Sequence, residues 1–145
     1  MSLKRQSTAV WNGAGTDGKG TISTQSGAFQ SQPYSFNTRF QSEDGKAGTN
    51  PEELLAASHA GCFTMATAFG LNRAGFTAEE LRTTATVSIE KGDAGWSVTG
   101  VHLVLEGKVP GVDAAKFQEI VNGAKSGCPI SRALSVPITL DAKLL

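Results

Sequence analysis

The sequence predicts an α+β fold with a largely antiparallel sheet and a buried central helix. Three observations carry that prediction. Strand-like runs alternate apolar and polar residues and end at Gly or Pro, as hairpins do. One long stretch, "NPEELLAASHAGCFTMATAFGLNR", opens with helix-start signals and meets no stop until Gly75. The implied order is strands, helix, strands, helix, strand, with strand runs segregated from helices and joined by hairpins rather than crossovers.

Each element has its own signal. "STAVWNG" reads as a strand before the Gly-rich turn "GAGTDGKG", and "TISTQSG" reads as the next. "YSFNTRF" alternates, which predicts a third strand. Tyr34, Phe36, Thr38 and Phe40 would share one face, and Ser35, Asn37 and Arg39 the other. "QSEDGKAG", residues 41–48, is a polar loop. For the central helix, Thr49 or Asn50 can cap, Pro51 suits the first position, and Glu52 and Glu53 complement the positive end. Leu55, Ser58, Cys62, Met65 and Phe69 form one stripe, and Leu54, Ala57, Gly61, Ala68 and Leu71 line the neighbouring faces. A helix so apolar all round is expected to be covered on most sides. Gly61 and the alanines would let another backbone approach closely. "LRTTATVSIEKG" and "GWSVTGVHLVLEG" follow as strands around the turn "KGDAGW". Asp113 caps a second helix running to about Ser126, with Phe117, Ile120, Val121 and Ala124 inward. Pro129 opens a short helical turn in "CPISRAL", and Val136, Ile138 and Leu140 alternate in a last strand.

The 145 residues suit one domain spanning 1–145. Lys plus Arg number 13 and Asp plus Glu number 13, so the net charge is zero and nothing electrostatic favours nucleic acid or an anionic membrane. "MSLKRQSTAVWNG" has a basic start without the apolar run of a secretory signal. The uncharged stretch from Leu54 to Leu71 is interrupted by small and polar residues and reads as a core helix rather than a membrane span. The expected location is the cytoplasm, where two cysteines are a poor permanent staple.

Cys62 and Cys128 fall on different helical elements and form no Cys-x-x-Cys pair. Packing, a disulfide, metal ligation and nucleophilic attack all remain open for Cys62 on these grounds. Cys128 precedes Pro129, near a helix N-terminus whose free N–H groups stabilise a thiolate, so the dipole alone favours Cys128 as the nucleophile. A reactive Cys62 would need a nearby cation, because burial raises a thiol pKa. Arg39 is a candidate, since it interrupts a run of aromatic and small polar residues; the plainer reading is a strand arginine facing solvent. Glu52 either complements its helix end or serves a site. Ten residues of helix span about 15 Å, so Glu52 cannot share a site with Cys62 of the same straight helix. Cooperation would require a partner subunit or a broken helix. The rival chemistry is zinc: His59, Cys62, His102 and Cys128 offer two histidines and two cysteines, at spacings unlike compact zinc modules. His59 otherwise reads as a helix histidine with a hydrogen-bonded partner. "GAGTDGKG" lacks the following helix of a phosphate loop, and "YSFNTRF" lacks the basic surface of a nucleic-acid platform.

Together, "GKGTISTQSG", "PYSFNTRF", "GTNPEELLAASHAGCFTMA" and "SGCPISRAL" resemble the OsmC branch of the OsmC/Ohr family of hydroperoxide reductases, in order and almost end to end. The arginine within "FNTRF" looks like OsmC rather than Ohr. The resemblance implies an OsmC/Ohr-like fold in an intertwined homodimer with sites at the subunit interface. It implies a two-cysteine peroxidase without metal, flavin or other cofactor. Cys62 would be peroxidatic, Cys128 resolving, and Arg39 and Glu52 the charged pair around the reactive thiol. This reverses the dipole argument. The substrate would be an organic hydroperoxide, in preference to hydrogen peroxide, with Phe36, Phe40, Phe63 and Met65 as apolar walls. An external dithiol, such as a lipoyl protein, would be the reductant. The rival class is a non-catalytic stress or zinc-binding domain using Cys62, Cys128 and His59.

Overall fold

The computed structural model describes residues 1–145, which fall into two compact units, Met1–Leu54 and Leu55–Leu145. The first holds a three-stranded sheet in the order β1-β2-β3, from Ser7–Asn12, Lys19–Thr24 and Gln32–Tyr34, with both pairings antiparallel. The Gly-rich turn is the β1–β2 hairpin loop. Strand β1 is exposed along its whole length.

The third strand departs from expectation. It ends at Tyr34, and Asn37–Gln41 coils into a π-helical turn. Phe36 and Phe40 therefore do not alternate along a strand; their rings meet at 5.2 Å across the coil. A four-residue spacing fits one face of a coil as well as one face of a strand, and the hydrogen bonds of the turn decide between them. Ser35 accepts from the Arg39 N–H, and its backbone N–H donates to the Thr38 hydroxyl.

The central helix, α1, runs unbroken from Pro51 to Arg73. Asn50 caps it by accepting from the Glu53 N–H at 2.8 Å, and Gly75 closes it at φ +89°, a conformation that costs glycine nothing. By length and composition alone α1 could cross a membrane. The phase of its buried stripe differs from the prediction. His59, Phe63, Thr67 and Leu71 are buried, whereas Met65 and Phe69 are 61% and 56% exposed. Apolar and small residues occur on nearly every face of α1, so spacing could not fix which face turns inward. Within the single chain one side of α1 is covered, not most of it.

The second unit is organised by a sheet of order β4-β5-β6, from Glu80–Gly92, Gly95–Lys108 and Ile138–Leu144. The β4–β5 hairpin is antiparallel and closes at Asp93–Ala94. β6 lies parallel to β5, contrary to an all-hairpin reading. Between them the chain crosses over through α2, Ala114–Gly127, and α3, Pro129–Ala133. Helix α2 must bury Phe117, Val121 and Ala124 on the sheet, and this returns the chain to the end where β5 began. Asp113 caps α2 through the Lys116 N–H, as its sequence predicts. The core joins Phe63 and Leu71 of α1 to Val101, Leu103 and Leu105 of β5, Phe117 and Val121 of α2, and Cys128. At Gly70 an added Cβ would stand 2.9 Å from the Ile120 side chain, so glycine permits the close approach of α1 to α2.

Candidate functional site

The two thiols, distant in sequence, meet in the second unit. Cys128 is the junction residue between α2 and α3, and the crossover carries it onto α1, where its Sγ donates to Cys62 Sγ at 2.7 Å. Both cysteines are free. Cys128 is fully buried, whereas Cys62 is half-buried. Burial first, and then the hydrogen bond and charge of Cys128, push the Cys62 thiol above its ordinary pKa; a backbone hydrogen bond from Ile130 opposes this only in part. Burial thus disfavours the Cys62 thiolate in the single chain.

A charged pair forms in the first unit. Arg39, on the coil, reaches Glu52, in the first turn of α1. Arg39 Nη2 donates to Glu52 Oε1 at 2.7 Å, and Nε donates to both carboxylate oxygens at 3.2 Å. The guanidinium also lies 4.8 Å from the Phe40 ring centroid. Asn50 steadies the coil, its side-chain amide donating to the Thr38 carbonyl at 3.3 Å. Glu52 is nearly enclosed at 12% exposure and Arg39 keeps 38% of its side chain open. The carboxylate thus fixes one edge of a guanidinium and leaves the rest available. The solvent-facing strand reading of Arg39 is replaced by this coil-borne, carboxylate-anchored one.

The proposed apolar walls separate. Phe36 and Phe40 sit beside Arg39, half-buried, and Met65 is exposed on α1. Phe63 is wholly inside the core and offers a ligand no surface, because it belongs to the inward stripe of α1.

The zinc set is not assembled. His102 on β5 bonds Thr139 at 2.6 Å through Nδ1 and Asp141 at 3.1 Å through Nε2, both on the neighbouring strand. No three His, Cys, Asp or Glu side chains converge as a ligand set. His59 is a buried helix histidine whose Nε2 meets Ser131 Oγ at 2.8 Å. Burial pulls its pKa below the usual histidine value, and its Nδ1 is buried without a partner. Sequence reasoning overlooked Ser131; the available signal was its position three residues after Cys128, mirroring His59 three residues before Cys62.

An α+β fold that holds two free thiols in contact, with a separate carboxylate-anchored arginine, defines a dithiol protein. The chain belongs to the OsmC family, whose model, described as OsmC-like protein, matches residues 43–143. Peroxiredoxin OsmC of Escherichia coli K12 is 49% identical over 144 residues, covering 99% of both chains. Organic hydroperoxide resistance protein OhrB of Bacillus subtilis is 34% identical over 104 residues, covering 70% of this chain and 74% of that one. The crystal structure of OhrB of Bacillus subtilis aligns with a TM-score of 0.70 at 26% identity over 97% of this chain and 98% of that one. An OsmC-like protein from Mycoplasma pneumoniae aligns with a TM-score of 0.77 at 19% identity over 100% and 99%, a likeness of fold.

Proposed function

We propose that this chain is a thiol-dependent peroxidase that reduces organic hydroperoxides, and hydrogen peroxide less well, in oxidative or osmotic stress defence in the cytoplasm. The observation that carries the reading is the contact of a half-buried Cys62 with a fully buried Cys128 at 2.7 Å. The names of its relatives, a peroxiredoxin and a hydroperoxide resistance protein, support it.

The Cys62 thiolate attacks the outer peroxide oxygen. The O–O bond breaks, the oxygen carrying the organic group leaves and is protonated to an alcohol, and the sulfur keeps the other oxygen as a sulfenic acid. Cys128 sulfur then attacks Cys62 sulfur, water leaves, and a disulfide forms. An external dithiol, such as a lipoyl protein, reduces the disulfide back to two thiols and is itself oxidised. The exposures support this order of roles: peroxide reaches the more open thiol, and the enclosed one waits for its product. The dipole argument for Cys128 yields to that burial.

Activation falls to Arg39, whose charge offsets the burial that raises the Cys62 pKa, with Glu52 holding the guanidinium in place. Because α1 is unbroken, Glu52 and Cys62 of one chain stand about 15 Å apart along it. The active form in this reading is an intertwined homodimer in which Arg39 and Glu52 of one subunit serve Cys62 of the other, making a single functional domain of residues 1–145. The uncovered strand β1, the exposed Met65 and Phe69, and the open space around Gly61 support such a partner. Phe36, Phe40 and Met65 are the proposed apolar walls.

Mass spectrometry after one equivalent of tert-butyl hydroperoxide tests the proposal. Loss of two hydrogens with a Cys62–Cys128 cross-linked peptide is expected. An untouched dithiol, or full turnover by Cys62→Ser, would refute it.

A further inference from the structure

His59 is a fully buried, titratable side chain with no part in the chemistry above. An imidazole there is costly. A leucine would fill such a site without an orphan, whereas Nδ1 is shut from water with no partner and loses its hydration uncompensated. Its one bond, from Nε2 to Ser131 Oγ at 2.8 Å, joins α1 to α3. The arrangement beside it is regular. His59 and Cys62 are three residues apart on α1, hence neighbours on one face. Cys128 and Ser131 are three apart, at the cap and within the single turn of α3. The His59–Ser131 bond and the Cys62–Cys128 contact are thus two adjacent rungs between the same two elements.

The neutral ring suits a fixed bond. Burial disfavours the imidazolium, and the tautomer with the proton on Nε2 leaves only a lone pair, not an N–H, unsatisfied at Nδ1. That tautomer donates to Ser131 and adds no charge beside the thiols. Helix α3 is only five residues long, and the Cys128 side chain does not cap its free N–H groups, so ties from outside the element steady it.

We propose that His59 and Ser131 are a positioning pair that keeps Cys128 aimed at Cys62 during the interval between sulfenic acid formation and disulfide condensation. The inference rests on the peroxidase reading above. The pair touches neither peroxide nor the oxidised sulfur. It acts through Cys128 and limits the time in which a second peroxide can add another oxygen to the Cys62 sulfenic acid and carry it to the irreversible sulfinic acid.

Single-turnover oxidation separates the two steps. Reduced full-length protein is mixed with one equivalent of tert-butyl hydroperoxide. Peroxide loss reports the first step, and dimedone-quenched intact mass reports the sulfenic acid and disulfide. His59→Ala and Ser131→Ala are expected to leave peroxide loss within about twofold of wild type, while disulfide formation slows about ten- to hundredfold, as misplacement of a reacting group does. Sulfinic acid at Cys62 should appear at lower peroxide excess, and the double variant should be no slower than the slower single one. His59→Gln, whose amide nitrogen can stand in for Nε2, should recover most of the rate. Ser131→Ala, nearly isosteric, keeps the test valid if His59→Ala folds poorly. Wild-type condensation rates in Ser131→Ala, or equal slowing of both steps, would overturn the proposal. Wild-type protein that is not oxidised at all would instead overturn the peroxidase reading on which it rests.

Discussion

Replacing Glu52 by Gln separates the electrostatic role of the Arg39 pair from any structural one. Gln keeps the shape of the side chain and one carbonyl acceptor but loses the charge and the two-oxygen grip on Arg39. With the arginine side chain 38% exposed, the pair is screened, and its contribution to stability is expected at about 0.5–1 kcal/mol. For a chain of this size that lowers the melting temperature by about 2–4 °C. The loss of activity should be larger. A charge-assisted hydrogen bond contributes about 1.5–3 kcal/mol, which as lost transition-state orientation is a fall of about ten- to hundredfold in kcat/KM. The direction of the pH effect also follows. A loosely held guanidinium offsets the burial of Cys62 less well, so the thiol pKa rises further and the activity profile moves to higher pH. The assays are steady-state turnover of tert-butyl hydroperoxide with a dithiol, iodoacetamide alkylation of Cys62 as a function of pH, and a thermal melt. A kcat/KM within about twofold of wild type with an unshifted alkylation profile would refute the reasoning. So would a melting temperature that collapses in step with activity, which would make the pair structural.

Further outcomes are expected. Cys62→Ser should consume no peroxide beyond background, and Cys128→Ser should undergo one oxidation and then stall with its reductant, both read by peroxide loss. Because burial lowers the His59 pKa, the unfolded chain binds more protons there as pH falls below about 6.5. Urea melts should therefore show stability falling with pH below that point, at up to about 1.4 kcal/mol per pH unit from this group, and His59→Gln should lack that share. Gly70→Val should destabilise the protein by about 1–3 kcal/mol through overlap with Ile120, and adding Ile120→Ala should reduce the loss; urea titration measures both.

The helices were the most legible part of the sequence, because capping is local. Asp113 takes up the bond its position anticipates, and of the two residues that could cap α1, Thr49 and Asn50, Asn50 accepts from the Glu53 N–H. The coil at Asn37–Gln41 was not legible, since the phenylalanine spacing serves strand and coil alike. The parallel pairing of β6 depends on where α2 finds its core, a long-range choice that no local pattern encodes. The inward face of α1 was hidden by its uniform composition, and with it both the burial of Phe63 and the His59–Ser131 bond. The residues of the candidate site were legible mainly through resemblance. Physical reading alone left Cys62 with four roles and, from helix position without knowledge of burial, favoured Cys128 as the nucleophile.

The chemistry of Cys62 leads to a test of where its site is built. Alone, the chain raises the Cys62 pKa, and the charged pair that could reverse this is anchored ten residues away on the same unbroken helix. If a second subunit supplies the arginine, two inactive variants must complement each other. Arg39→Ala contributes a sound Cys62, and Cys62→Ser contributes a sound Arg39. A mixed dimer then has one site with both groups and one with neither. Random exchange at equal amounts makes about half the dimers mixed, so about one quarter of wild-type activity per site should return. The mixture should be unfolded and refolded together so that subunits exchange, and peroxide turnover compared with each variant alone. A site contained within one chain would gain nothing from mixing, because every chain would still lack one of its own two groups.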